Sequence, residues 1–86
     1  MLVLVTGVAG FIGSTTARVL LDRGDTVVGI DNLNDYYDVT LKTVRLDRLK
    51  RHPNFSFVLL DVAAREKMAD LFSSRRFDAV VHLAAQ

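Results

Sequence analysis

The chain has 86 residues, of which 50% are hydrophobic and 24% are charged, and its formal net charge is +1. That composition is typical of one small globular domain with a thin core, and it excludes a disordered chain. The nearly balanced charge argues against nucleic acid as the default partner, and the lack of cysteine excludes disulfides and thiolate metal sites.

Four apolar runs alternate with three stretches of helical periodicity. The runs lack strict polar alternation, which predicts buried strands over 2–5, 26–30, 55–60 and 79–85. The intervening stretches predict helices over 11–23, 38–51 and 64–74. The first run is too short for a signal peptide core or a membrane span, so we expect a cytoplasmic protein without a membrane partner.

The predicted helices have end signals or apolar faces. Gly24 is a natural stop for the first helix. The residues that cluster on one side of the second helix are Val39, Leu46 and Leu49. Those that share one face of the third helix are Ala64, Met68, Leu71 and Phe72. We expect this third face, including its Met and Phe, to pack in the core.

The order of these elements predicts an α/β fold. The helical crossovers are long enough to join parallel strands, and right-handed crossovers place helices on both faces of an open sheet. We therefore expect a Rossmann-like, three-layer half-fold with about four parallel strands in the order 3-2-1-4. Ligands of such sheets lie beyond the carboxyl ends of the strands, where the strand order reverses.

Three glycines follow the first predicted strand at every third position. Gly7 suits a left-handed turn, Gly10 would let a diphosphate approach the main chain, and Gly13 would let the next helix pack closely on the sheet. The amides of Phe11 and Ile12 in the first helical turn can bind an anion, and we expect the two side chains to pack inward. A tight turn without a ligand is the alternative.

An aspartate ends the second predicted strand. The carboxylate of Asp31 can accept hydrogen bonds from both hydroxyls of an adenosine ribose. It would also repel a 2′-phosphate, which favours NAD over NADP. Together with the glycine pattern between a strand and a helix, this residue predicts a dinucleotide site rather than a turn beside a surface aspartate.

Three segments carry a resemblance to a known family. TGVAGFIG at 6–13 resembles the fingerprint of the extended short-chain dehydrogenase/reductases, the family of NAD-dependent nucleotide-sugar epimerases and dehydratases. GIDNLNDYYDVTLK at 29–42 and FDAVVHLAAQ at 77–86 resemble the UDP-glucuronate 4-epimerases within it. The resemblance covers essentially the whole chain. It implies that residues 1–86 are the N-terminal part of a dinucleotide-binding domain, without a substrate domain.

The resemblance implies a site for the adenosine side of NAD. The residues that would hold the pyrophosphate are Gly7, Gly10, Phe11, Ile12 and Gly13. Those at the ribose are Asp31 and Asn32, and those at the adenine are Asp61, by its carboxylate, and Val62, by its amide. The backbone that would border the middle of the cofactor is that of Leu83, Ala84 and Ala85.

The catalytic pair of the family has no counterpart in this sequence. Family members use a Tyr-x-x-x-Lys pair whose tyrosinate takes a proton from the sugar while hydride passes to NAD; the 4-keto sugar then takes the hydride back on its other face. The tyrosines here are Tyr36 and Tyr37, the lysines are Lys42, Lys50 and Lys67, and no two have that spacing. The resemblance thus implies a UDP-glucuronate 4-epimerase as the full-length parent, with a UDP-sugar as its substrate, and no catalytic residue in this chain.

Other interpretations use the same features. A methyltransferase that uses S-adenosylmethionine also has a glycine loop and a strand-end acid, but its cofactor lacks the diphosphate that a helix N-terminus would bind. A non-catalytic module could self-associate through the open edge of the fourth strand. The basic segment 42–51 beside Tyr36 and Tyr37 is interpreted as a solvated helix face rather than a nucleic-acid groove, and His82 as a core or strand-end histidine.

Overall fold

The computed structural model describes residues 1–33 and 39–83, which contain four strands and three helices in the predicted order. The strands are β1 (Leu2–Thr6), β2 (Thr26–Asp31), β3 (Phe55–Leu59) and β4 (Ala79–His82). The helices are α1 (Phe11–Asp22), α2 (Val39–Leu49) and α3 (Arg65–Ser74). Two predicted strands were too long, since Leu60 lies beyond β3 and Leu83 beyond β4; Ala84 and Ala85 lie outside the described residues.

The strands form one parallel sheet in the order β3-β2-β1-β4, which confirms the predicted order. Leu4 in β1 lies opposite Val28 of β2 on one side and Val80 of β4 on the other. The chain leaves β1 for β2 in one direction and later returns to the opposite side of β1 with β4. The carboxyl ends of these strands therefore form the edge at which a ligand is expected.

Alternating side chains of the two central strands build a core on each face of the sheet. Val3 and Val5 belong to the core shared with α1 and α2, which includes Leu46. Leu4 and Ile30 belong to the core on the α3 side. The core shared with α1 and α2 is called the first core, and the core on the α3 side is called the second core. Because β1 and β2 are covered on both faces, both sets of alternating side chains are largely apolar.

Helix α1 packs on the sheet through one narrow face and ends where the sequence predicts. Its buried residues are Gly13, Ala17 and Leu21, which recur at i, i+4 and i+8. Gly24 has a φ of +96° and donates its N–H to the Leu21 carbonyl at 3.0 Å. This left-handed residue stops the helix and satisfies one of its last carbonyls.

Helix α2 contacts the first core through Leu46 and Leu49, which are both buried, whereas Leu41 and Val44 are exposed. The side chain of Val39, the third residue of the predicted face, lies outside the described residues. In the described part of the chain, no helix combines the length and the apolarity that a bilayer crossing requires.

The predicted core face of α3 is correct except at Phe72. Ala64, Met68 and Leu71 pack against the second core, but Phe72 is 45% exposed. Its ring meets the Phe77 ring edge-on, with centroids 5.6 Å apart. Phe72 follows Leu71 by one residue, which turns it about 100° around the helix and off the buried stripe.

Candidate cofactor-binding site

The chain passes from β1 into α1 through residues 7–13, the glycine loop. Gly7 has a φ of +68°, a conformation that glycine adopts without steric penalty, and its carbonyl accepts the Gly10 N–H at 3.1 Å. Val8 donates its N–H to the Ile30 carbonyl of β2 at 3.2 Å, and its side chain is fully buried. The loop is therefore held against the carboxyl ends of both central strands.

The other two glycines keep the start of α1 close to the loop backbone. A β-carbon at Gly13 would overlap the Gly7 carbonyl oxygen and lie 2.8 Å from the Gly7 carbonyl carbon. At Gly10 the same oxygen would lie 3.3 Å from a β-carbon. Since these neighbours are backbone atoms, they cannot rotate away as a side chain would. The close approach of α1 thus requires glycine at position 13 and favours a very small residue at position 10.

The first turn of α1 presents amide groups that the protein itself does not use. Ser14 donates its N–H to the Gly10 carbonyl at 2.9 Å. Within the described part of the chain, the N–H groups of Phe11, Ile12 and Gly13 have no acceptor. No side chain of the described residues caps this end, where Gly10 is the N-cap residue, and no acidic residue lies in the first turn. The positive end of the helix dipole and these amides can therefore bind an anion.

The prediction that Phe11 and Ile12 pack inward is wrong. Their side chains are 70% and 65% exposed. The face of α1 that meets the sheet begins at Gly13, and Phe11 precedes it by about 200° of helical rotation. The guanidinium of Arg45 lies over the Phe11 ring, 5.9 Å from its centroid. Phe11 therefore covers the outside of the site rather than the core.

Asp31 turns its carboxylate toward the glycine loop. The side chain is only 4% exposed, and Oδ2 accepts the Ala9 N–H at 3.0 Å. Oδ1 accepts the Leu33 N–H at 2.7 Å and lies 3.4 Å from the ammonium of Lys42. An ionised carboxylate has about four acceptor positions, and donors among the described residues occupy three of them, which leaves one on Oδ2 for a further donor. Asn32, the other residue predicted at the ribose, is exposed beside it.

Two basic residues of α2 also reach this edge of the sheet. The sequence analysis did not predict this, because it interpreted the whole basic segment as a solvated helix face. The Lys42 side chain is only 12% exposed. Arg45 donates from Nη1 to the Ala9 carbonyl at 3.3 Å. Their i, i+3 spacing places them one above the other on the helix. Two basic residues with this spacing, in the helix that follows a strand-end acid, were the sequence feature that could have predicted their position. Arg48 and Arg51 are exposed, as predicted.

Asp61 and Val62 lie just after β3, at the same edge. The Leu60 N–H donates to the Asp31 carbonyl at 3.1 Å, which joins this segment to the end of β2. Asp61 is exposed, and its Oδ1 accepts the Ala63 N–H at 2.9 Å. Val62 packs against the second core. The carboxylate of Asp61 is thus accessible to an amine donor at the edge of the site.

The end of β4 is tied to the end of β1. The Leu83 N–H donates to the Thr6 hydroxyl oxygen at 2.9 Å and to the Thr6 carbonyl at 3.2 Å. The same hydroxyl lies 2.7 Å from Nδ1 of His82, so His82 is the strand-end histidine that the sequence predicts. Leu83 therefore lies beside the end of β1, the strand that leads into the glycine loop. Ala84 and Ala85 lie outside the described residues.

A surface groove lies at the β3 edge of the sheet. It has a volume of about 400 Å³ and runs between β3 and α3, next to Leu59 and Leu71. None of the residues predicted to bind a cofactor lines it. The predicted residues that the structure describes instead gather around the glycine loop and the strand ends, on an open edge rather than in a cavity.

Residues 4–86 match the model of a protein family described as GDP-mannose 4,6 dehydratase. The chain belongs to this family. An uncharacterized 37.6 kDa protein of Escherichia coli O111:H- is 57% identical over 77 residues, covering 90% of this chain and 23% of that protein. The UDP-glucuronate 4-epimerase of Thermodesulfobacterium geofontis is 49% identical over 83 residues, covering 96% of this chain and 26% of that enzyme.

A solved structure extends the family comparison to the fold. The UDP-glucuronic acid 4-epimerase of Bacillus cereus, in complex with UDP-glucuronic acid and NAD, is similar with a TM-score of 0.86 at 38% identity. The match covers 99% of this chain and 26% of the enzyme. The chain therefore spans about a quarter of the length of the family members it resembles. The resemblance to NAD-dependent epimerases and dehydratases is confirmed.

Proposed function

We propose that this chain is the NAD-binding portion of a nucleotide-sugar 4-epimerase and holds the adenosine and diphosphate groups of the cofactor. One observation carries the proposal: the Asp31 carboxylate is hydrogen-bonded to the Ala9 amide of the glycine loop, and this loop leads into the α1 amides that have no acceptor among the residues the structure describes. An acceptor for ribose hydroxyls and an anion site thus share one edge. Relatives named UDP-glucuronate 4-epimerases and a neighbour in complex with NAD support it.

The residues divide between three parts of the cofactor. The amides of Phe11, Ile12 and Gly13 hold the pyrophosphate, and the bare main chain at Gly7 and Gly10 admits it. The residues at the ribose are Asp31 and Asn32, and those at the adenine are Asp61 and Val62. The backbone proposed for the middle of the cofactor is that of Leu83, Ala84 and Ala85. Bound NAD supplies a reversible hydride acceptor.

The reaction of the whole protein is proposed to be reversible C4 epimerisation of UDP-glucuronate or a related UDP-sugar through a 4-keto intermediate. The names of the similar enzymes support this substrate class. The 86-residue chain lacks a Tyr-x-x-x-Lys pair, so we expect no epimerase activity from it alone. Incubation of the purified chain with NAD and UDP-glucuronate, followed by product analysis, tests this; any interconversion of the sugars would contradict it.

Calorimetric titration with NAD tests the binding proposal. We expect saturable binding by the natural chain and a loss of about 1–3 kcal/mol of binding free energy in Asp31→Ala, the range for removing a buried polar partner. Asp25→Ala is the matched control, because Asp25 is an equally buried aspartate at the other end of β2. S-adenosylmethionine should not compete with NAD. An absence of NAD binding, or equal binding by Asp31→Ala, would contradict the proposal.

We infer a second candidate, self-association through β4, from the exposure of that strand. Among the described residues β4 pairs only with β1, and Val80 is 49% exposed. An open strand edge with an apolar side chain favours pairing with another chain. Light scattering over a wide concentration range distinguishes the outcomes, since a monomer at every concentration would exclude this candidate.

A further inference from the structure

The outer edge of β4 has backbone groups that no other strand uses in the part of the chain that the structure describes. The Leu83 N–H donates to the Thr6 carbonyl at 3.2 Å, so the backbone of residue 83 is directed toward β1. Because the backbone groups of successive strand residues point to alternate sides, those of Val80 and His82 point away from β1. These two residues can therefore pair with a further strand.

Three exposed side chains, those of Asp78, Val80 and His82, lie in a row along one face of this edge. Val80 pairs with Leu4, a residue of the second core, and so lies on the same face of the sheet. Asp78 and His82 are two residues away on either side of Val80 and share that face. The edge thus carries a carboxylate, an apolar side chain that is 49% exposed and an imidazole.

We propose that β4 pairs antiparallel with β4 of a second copy of this chain, with Val80 opposite Val80 of that copy. This inference rests on the second candidate function, self-association through β4, and adds the orientation, the register and the residues of the contact. A two-fold axis perpendicular to the sheet relates the copies, so both contribute the same surface. Their two four-stranded sheets join into one continuous sheet.

The row of side chains is complementary to itself in this register. The residue opposite Asp78 is His82 of the second copy, and the residue opposite His82 is Asp78 of that copy. A carboxylate and an imidazole therefore meet once on each side of the axis, with the two Val80 side chains between these pairs. A register centred on Val81 would place Val80 opposite His82 and lose both pairs. Charge complementarity thus favours the register centred on Val80.

The carboxylate and the imidazole each keep one atom for the second copy. Asp78 accepts the Leu2 N–H at Oδ2, 2.6 Å away, and its Oδ1 has no donor among the described residues. His82 Nδ1 lies 2.7 Å from the Thr6 hydroxyl oxygen, so Nε2 is the ring nitrogen that remains. In the dimer Nδ1 accepts the Thr6 hydroxyl, and Nε2 donates its hydrogen to Oδ1 of Asp78 in the second copy.

The β3 edge is a poorer partner for β4. Lys50 lies over the Phe57 ring of β3, 5.7 Å from its centroid, and a lysine beside an edge strand opposes pairing there. Pairing of β4 with β3 of another copy would also leave one free β3 and one free β4, so the assembly would grow into a filament. Pairing of two β4 edges uses both of them, and we therefore expect a closed dimer.

Single cysteines determine the register, since the chain has no cysteine of its own. Val80→Cys brings two sulfurs together at the axis, where the backbone separation of about 5.5 Å suits a disulfide. We expect a covalent dimer of Val80→Cys after mild oxidation, read on a non-reducing gel. Val81→Cys and the exposed helix control Ser73→Cys should stay monomeric on the gel. A covalent dimer of Val81→Cys alone would contradict the register.

Light scattering over a wide concentration range measures the dimer itself. The mass should rise with concentration and stop at two chains; a mass that continues to rise would contradict a closed dimer. Asp78→Asn keeps an acceptor for the Leu2 N–H but should weaken the dimer at least about threefold, because two carboxylate–imidazole pairs are lost. Asp70→Asn, in an exposed aspartate of α3, is the matched control and should leave the dimer unchanged.

The outcomes separate this inference from the functions proposed above. Circular dichroism first checks that each variant is folded. A dimer that Asp78→Asn does not weaken, or in which Val80→Cys forms no disulfide, would show that the inference is wrong while self-association through β4 stands. A natural chain that is monomeric at every concentration would overturn both, and the NAD-binding proposal would be unaffected.

Discussion

Strand β2 is flanked by two aspartates with the same exposure and different surroundings. Asp25 precedes the strand and Asp31 ends it, and each residue is 6% exposed. Asp25 pairs with the ammonium of Met1 at 3.1 Å and with Arg23 at 2.7 Å, and both cations are more than half exposed. Asp31 pairs with the largely buried Lys42 at 3.4 Å. Burial and a cationic partner are therefore common to both ends.

The two carboxylates differ in the backbone that they hold. Asp31 accepts the amides of Ala9 and Leu33, so it fixes the glycine loop against the end of β2. In the described part of the chain, Asp25 accepts hydrogen bonds from the Met1 ammonium and Arg23 instead. A buried, paired aspartate thus does not by itself indicate a binding site. Its place at the carboxyl end of a parallel strand, in contact with a loop that can bind an anion, does.

The largest expected difference in stability is between substitutions of two glycines, Gly13 beside the glycine loop and Gly24 next to Asp25. Gly13→Ala should destabilise the chain by about 3 kcal/mol, because the new β-carbon overlaps the Gly7 carbonyl and overpacking has costs of this size. Gly24→Ala meets no atom within 4 Å and should lose only about 1 kcal/mol through its positive φ. Urea unfolding measures both. A Gly13→Ala chain as stable as the natural one would show that α1 does not approach the loop as closely as described.

The aspartates themselves should differ in their contribution to folding. Asp31→Ala leaves the Ala9 amide and Lys42 without their acceptor in a buried place, so we expect a loss of about 2 kcal/mol in unfolding free energy. Asp25→Ala should lose less, because its cationic partners are exposed to water. A larger loss in Asp25→Ala would contradict the distinction between the two ends.

The arginines beside the two aspartates sharpen the comparison. Arg45→Met removes one hydrogen bond to the Ala9 carbonyl and the contact with the Phe11 ring, and should lower stability by about 1 kcal/mol. Arg23→Met removes an exposed ion pair and should have a smaller effect. Amide hydrogen exchange of the glycine loop should accelerate in Arg45→Met and stay unchanged in Arg23→Met. Equal exchange rates in both variants would show that the Arg45 side chain does not stabilise the glycine loop.

Acid should weaken the Asp25 end in a defined direction. The hydrogen bond from the Met1 ammonium, opposed by burial and aided by Arg23, holds the pKa of Asp25 below its ordinary value. A lowered folded-state pKa stabilises the chain above the unfolded value, about 3.9, and that contribution is lost as the pH falls through the folded value. Urea unfolding at several pH values should show that the natural chain and Asp25→Asn become equally stable once the pH is below the folded-state pKa of Asp25. A gap that widens in acid would contradict this sign.

Local signals in the sequence were sufficient to predict the fold and to propose a candidate site at the ends of the strands. Glycine spacing between an apolar run and a helix predicted the turn at Gly7 and the close approach at Gly13. Alternating strands and helices predicted a parallel sheet with right-handed crossovers, and the Rossmann-like arrangement supplied the strand order that the structure shows. Asp31 was found from its position at a strand end, which is a property of the chain and not of its packing.

Contacts that depend on how a helix is rotated were not predictable in the same way. Lys42 reaches Asp31 and Arg45 reaches the glycine loop because Leu46 and Leu49 fix the rotation of α2 on the first core. The sequence alone did not show which flank of α2 would then face this edge of the sheet. The exposure of Phe11 follows from the narrow face of α1. Gly29 was also missed: a β-carbon there would lie 2.7 Å from the Val8 methyl groups, a contact between distant segments.

Amide chemical-shift mapping with NAD tests the central claim most directly. On the ¹⁵N-labelled chain, we expect NAD to shift the amides of Phe11, Ile12 and Gly13 and those near Asp31, while those around Asp25 remain unchanged. ADP should reproduce the shifts at the three helix amides, because it carries the same diphosphate. Shifts confined to the groove between β3 and α3, or spread equally over both ends of β2, would contradict a dinucleotide site at the glycine loop.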